Sequence, residues 1–152
     1  MSIEDSVNFR RVSDAVTTSG VVTSDDLRGL GAEGYDAVVN LLPADSPYAV
    51  VDEAGIVSDQ GLDYVHIPVD FAAPSHDDFE TFAAAMDVNA GKHVHVHCAA
   101  NFRVSAFYSV YAVRKGWWSA AEADAHVRGL WDPAEHPAWD AFLAAERSRP
   151  AT

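Results

Sequence analysis

Cys98, Arg103 and Asp70 are the residues of this 152-residue chain whose types and spacing could do chemistry together. Cys98 is the only cysteine. The alternating segment His93-Val94-His95-Val96-His97 reads as a buried strand that runs straight into it. A short turn follows, Ala99-Ala100-Asn101-Phe102, then Arg103, then an apolar run from Val104 that reads as a helix. A thiol placed where a strand stops and a helix starts lies among loop N–H groups and a helix N-terminus, and both favour an anion. The turn Ala99 to Phe102 can offer those N–H groups to an oxyanion, Arg103 can add a planar two-toothed donor, and Cys98 as thiolate would be the nucleophile. Asp70, at the end of another predicted strand, could give a proton to a leaving alkoxide; Asp77 and Asp78 are rival acids. The plainer alternatives are a buried inert thiol, a surface ion-pair arginine and an aspartate that merely caps its loop.

The elements that must position these groups can be read from the chain in order. Val7 to Val16 is weakly strand-like and reaches a sheet near Ala15-Val16-Thr17, and Thr18-Ser19-Gly20 reads as a turn. Thr23 or Ser24 caps a short helix with Asp25 and Asp26 in its first turn and Leu27 and Leu30 on its buried side. Residues 36–41 read as a buried strand, 50–60 as a helix stopped by Gly61, and 62–69 as a strand closed by Pro68. Ser75 caps a helix with Phe79, Phe82, Ala83 and Met86 on its core side. Beyond Cys98 the chain reads as helical: 104–115, 119–130 and 137–147. Trp117, Trp118 and Trp131 read as packing residues. Strands alternating with helices up to Cys98 predict an α/β fold with a mainly parallel sheet of four to five strands, helices on both faces and a helical C-terminal part. In such sheets ligands sit beyond the carboxyl ends of the strands, where both Cys98 and Asp70 are predicted.

Composition narrows the partners. The length fits one domain, taken as 1–152, and 49% hydrophobic residues can build a core. The formal net charge is −13, and only two residues are lysines, Lys92 and Lys115. That argues against nucleic acid or an anionic membrane surface as the partner, and it means an anionic substrate must be attracted locally. A single cysteine, a polar acidic N-terminus and no long apolar run predict a cytoplasmic protein without intramolecular disulfide, signal peptide or membrane span. His93, His95 and His97 share one strand face and could in principle bind a metal. No carboxylate or thiol is clearly placed to complete such a site, so none is assigned.

His97-Cys98, the short loop, Arg103 and Ser105, preceded by Ile67-Pro68-Val69-Asp70, resemble the cysteine-dependent protein tyrosine and dual-specificity phosphatase superfamily. Thr18-Ser19-Gly20, Val38-Val39-Asn40-Leu41 and residues 61–68 resemble its compact bacterial branch, so the likeness covers most of the chain. The resemblance implies a phosphotyrosine-phosphatase-like fold and hydrolysis of a phosphomonoester, small or on a protein, through a phosphocysteine without metal or other cofactor. The roles would fall on Cys98 as nucleophile, Arg103 as phosphate clamp, Asp70 as general acid, Ser105 as the hydroxyl steadying the thiolate and His97 as tuner of the loop. The loop also departs from the signature. Four residues rather than five separate Cys98 from Arg103, no glycine lies between, and Val104 intervenes before Ser105. Either the loop is one residue shorter or the arginine has moved one place earlier; Asn101 is the residue best able to replace the glycine, because asparagine tolerates a left-handed backbone. Loop length also resembles that of rhodanese-type sulfurtransferases, which would place a persulfide on Cys98. A relative that only binds an oxyanion is the other alternative.

Overall fold

The computed structural model describes residues 2–149. Its centre is a five-stranded sheet in the order β1-β2-β5-β3-β4, formed by β1 (Arg10–Arg11), β2 (Val16–Ser19), β3 (Ala37–Asn40), β4 (Asp63–His66) and β5 (Val94–His97). All neighbours are parallel except β1, which folds back on β2. The chain leaves a place between β2 and β3 and later fills it with β5, so the strand that ends in Cys98 is flanked on both sides. Thr17, Ser19, Val38 and Asn40 lie in register with His95 and His97 and therefore share their face.

That face is covered by two short helices, α1 (Ser24–Arg28) and α2 (Glu53–Ser58), around Leu27, Leu30, Tyr35, Val38 and Val57. The opposite face carries Val94, Val96, Val39 and Cys98 and packs under α3 (His76–Val88), α4 (Phe102–Arg114), α5 (Ala120–Arg128) and α6 (Pro137–Arg147). Phe79, Phe107, Phe142 and Trp139 interlock there, with Phe107 5.6 Å from Phe79 and 5.4 Å from Phe142 between ring centres. Such contacts add about 0.5–1.5 kcal/mol per pair beyond burial alone. No helix among the described residues is long and apolar enough to cross a membrane.

Several predicted boundaries shift for identifiable reasons. The helix expected over 50–60 spans only Glu53–Ser58, because Asp52 is left-handed (φ 57°) and breaks it on the N-terminal side. Thr18 and Ser19 are not a turn: they pair with Val96 and His97, and the chain turns at Gly20. There is no room for a side chain at Gly20, where a Cβ would lie 2.5 Å from the Ala99 carbonyl oxygen. The helix after Cys98 begins at Phe102, two residues before the expected start. Trp131 packs as expected, but Trp117 is 57% exposed and only meets Tyr111 edge-on. The helix over 137–147 has the bounds read from Pro137 onward.

Candidate active site

The turn between β5 and α4 is fastened residue by residue. Cys98 N–H donates to the Ser19 carbonyl (3.3 Å) and Val21 N–H to the Ala99 carbonyl (2.8 Å). The Asn8 amide donates to the Ala100 carbonyl (3.0 Å), while the Asn101 amide donates to the Asn8 carbonyl (2.9 Å) and to Thr18 Oγ1 (3.0 Å). Both asparagines are left-handed, at φ 52° for Asn8 and 68° for Asn101. Asn101 thus adopts the backbone that a glycine would otherwise be needed for, and pins the loop to the N-terminal segment at the same time. Asn8 had no sequence signal, since its role exists only through contacts some ninety residues away.

What this fastening leaves over is a run of donors. The backbone N–H groups of Ala99 through Val104 have no acceptor among the described residues, and the first bond back into the loop is Ser105 N–H to Asn101 O, 2.9 Å. A loop followed by the start of a thirteen-residue helix, with unpaired N–H groups across the junction, suits an anion. Arg103 stands in the first turn of α4. Its Nε donates to the Val69 carbonyl (2.9 Å) and its guanidinium lies 5.1 Å over the Phe71 ring. It makes no ion pair among the described residues, so its terminal nitrogens are uncommitted.

Arg103 faces a cavity of about 630 Å3 that Asp45, Asp70 and Phe71 also line, between Pro43 and Pro68. The structure therefore brings Arg103 and Asp70 to one hollow, and leaves Asp77 and Asp78 outside its walls, in the first turn of α3. Asp70 is exposed; its Oδ1 accepts from Ala72 N–H (2.9 Å) in a tight turn. Asp45 is a second carboxylate lining this hollow, and nothing in its local sequence marks it. Cys98 does not line this hollow and is fully buried beside Val96 and Val104. The Ser105 hydroxyl donates to the Phe102 carbonyl (3.0 Å) and accepts from Trp131 Nε1 (2.9 Å), so its hydrogen is committed to the helix backbone. Trp131 in turn stacks flat on Phe102, 4.7 Å between ring centres.

Beneath the loop, the histidine stripe is built into a buried polar network. His97 Nε2 lies 2.6 Å from Glu53 Oε2, and both residues are buried. Each keeps one buried atom unpartnered, His97 Nδ1 and Glu53 Oε1. His95 is held at both ring nitrogens, by Thr17 and Ser19 hydroxyls at 2.8 Å. Burial, reinforced by the neighbouring His97 and His93, drives its pKa well below the ordinary value, so it is neutral. Tyr64 accepts from the Asn40 amide at 3.1 Å, and burial pushes its phenol up to about 12. Glu53 is a further residue the sequence did not mark, because an acid opening a short helix reads as a solvated one.

Comparison with known proteins places this arrangement. The family described as beta-lactamase hydrolase-like protein, phosphatase-like domain, matches residues 8–114. A comparison with curated proteins finds no match. Among solved structures, a DUF442 protein of Shewanella putrefaciens CN-32, named as a candidate phosphatase, is 35% identical, with 92% of this chain and 88% of that one covered and a TM-score of 0.85. Tk-PTP in its active form is 24% identical over 93% of this chain and 97% of its own, at TM-score 0.74. The TpbA protein of P. aeruginosa, solved with phosphotyrosine, is 14% identical over 90% and 83%, at TM-score 0.71. The last two likenesses show the fold alone.

Proposed function

This chain belongs to the family described as beta-lactamase hydrolase-like protein, phosphatase-like domain, and from that premise we propose that it hydrolyses a phosphomonoester through Cys98. The observation that carries the reading is the junction of β5 and α4. Among the described residues the N–H groups of Ala99 to Val104 have no acceptor, and Arg103, in the first turn of the helix that follows, makes no ion pair and keeps its terminal nitrogens free of a carboxylate. Together they form a receptor for a tetrahedral oxyanion, next to the one thiol.

In the proposed reaction the Cys98 thiolate attacks phosphorus in line with the leaving oxygen. A P–S bond forms as the P–O bond breaks, and Asp70 gives its proton to the departing alkoxide. Water then attacks the phosphocysteine, Asp70 takes its proton, and the P–S bond breaks to release phosphate and restore the thiolate. Arg103 and the loop N–H groups hold the three non-bridging oxygens throughout, and stabilise most strongly where their charge is greatest.

The full burial of Cys98 and the commitment of the Ser105 hydrogen to Phe102 favour a second reading, in which the loop binds phosphate without turnover. Hydrolysis of phenyl phosphate by the wild-type protein, with phosphate release lost in Cys98→Ser, decides between the two. The hydrolytic reading expects turnover and a phosphorylated cysteine trapped by acid quenching. Stabilisation by phosphate with no turnover of any phosphoester supports the binding reading.

A further inference from the structure

Arg103, the cation of the proposed oxyanion receptor, lines an acidic hollow. Arg103 is the single basic residue lining the main hollow, where Asp45 and Asp70 stand with it. Phe71 and Ala72 also border a second depression of about 200 Å3, lined by Glu135, His136 and Trp139. The two hollows therefore adjoin across Phe71, whose ring carries the Arg103 guanidinium at 5.1 Å and meets His136 edge-on at 5.1 Å. With histidines counted neutral, Glu135 is the formal charge of the second hollow. Elsewhere Arg114, Arg147 and Arg149 gather at a separate cavity beside α4 and α6, and Lys92 at another below β2 and β5. The whole chain carries −13.

A phosphate can be received in the main hollow because Arg103 offers it terminal nitrogens that no carboxylate among the described residues occupies. A second anionic group on the substrate has no such receiver and meets Asp45, Glu135 and the overall negative field. We infer that the substrate is a phosphomonoester with a single phosphate and an ammonium-type cationic leaving group, the phosphate at Arg103 and the cation towards Asp45 and Glu135. This rests on the hydrolytic reading for its chemistry, but the charge preference is a property of binding and can be measured without turnover.

The test compares para-aminomethylphenyl phosphate, para-carboxyphenyl phosphate and the uncharged reference phenyl phosphate. Turnover is followed with the wild-type protein, and affinity by calorimetry with Cys98→Ser. At low salt the cationic ester should exceed the carboxylate ester roughly tenfold in kcat/KM and in affinity, and the ratio should contract as salt is raised. The double variant Asp45→Asn, Glu135→Gln should bring the ratio close to one. Equal or inverted preference at low salt, an unchanged ratio in the double variant, or no binding of any of the three esters to Cys98→Ser overturns the inference. Loss of phenyl phosphate turnover alone overturns the hydrolytic reading, and the calorimetric ratio then still decides the charge preference.

Discussion

In the loop after Cys98, Ala99, Ala100 and Asn101 are each tied to the N-terminal segment, to β2 or to Val21 just beyond it, and Gly20 leaves them no slack. Around the hollow, Asp70 and Asp45 are exposed, and among the described residues the side chain of Asp70 bonds only to the next residue but one. In the proposed reaction the first would meet a group that is the same in every phosphomonoester, and the second whatever the phosphate is attached to. Preorganisation is concentrated where the ligand's shape is constant, and the half that must fit a particular leaving group is left adjustable.

If that division holds, damage to the two regions should differ in kind. The largest effect is expected for Arg103→Ala, which should lower kcat/KM for an aryl phosphate by about a thousandfold while costing only about 1–2 kcal/mol in stability, from the lost bond to the Val69 carbonyl and the lost stacking on Phe71. Equal losses of activity and stability would mean that Arg103 is a structural strut. Next, Asn101→Ala should cost about 2–3 kcal/mol in chemical denaturation, from the left-handed backbone together with its lost bonds to Asn8 and Thr18. Asn101→Gly, which relieves the backbone and loses only the bonds, should cost about half as much. Similar costs for both would remove the argument that asparagine stands in for glycine.

The acidic hollow should respond chemically and not thermodynamically. Asp70→Asn is expected to lower kcat about a hundredfold on an alkyl phosphate and much less on a para-nitrophenyl ester, with stability within about 0.5 kcal/mol of wild type. A uniform fall on both esters would assign Asp70 to its turn alone. The floor under the cysteine loop gives a smaller, pH-dependent effect. His95 is kept neutral in the folded state, its pKa depressed, whereas the unfolded chain binds a proton near pH 6.5. Its contribution is therefore complete above about pH 6.5 and is lost as pH falls below that, because protons then favour the unfolded state. Replacing His95 with glutamine should flatten the denaturation free energy over that range; an unchanged slope would shift the acid sensitivity to other groups. The smallest effect is expected at the exposed Trp117, where alanine should cost about 0.5 kcal/mol or less by thermal melting.

Much of this was legible from local pattern. The alternation ending in Cys98 marked the central strand, Pro137 and the following aromatic spacing marked α6, and the asparagine between cysteine and arginine marked the left-handed position. What escaped were residues whose meaning is long-range. Glu53 reaches His97 from a different element, Asn8 grips the loop from the other end of the chain, and Asp45 shares a hollow with Arg103 although the two lie far apart in sequence. The helix over 50–60 was overextended because helical composition does not reveal the left-handed turn that tertiary packing imposes at Asp52.

The flat stack of Phe102 on Trp131 has a practical consequence. Phe102 is the residue immediately before Arg103, and the indole is bonded through Ser105 to the same helix end. Any shift of the helix start on capturing an oxyanion would change the surroundings of that indole. The protein thus carries its own optical gauge of occupancy, readable in near-ultraviolet ellipticity or emission without a label, and a silent spectrum on phosphate binding would itself report how rigidly the loop was set beforehand.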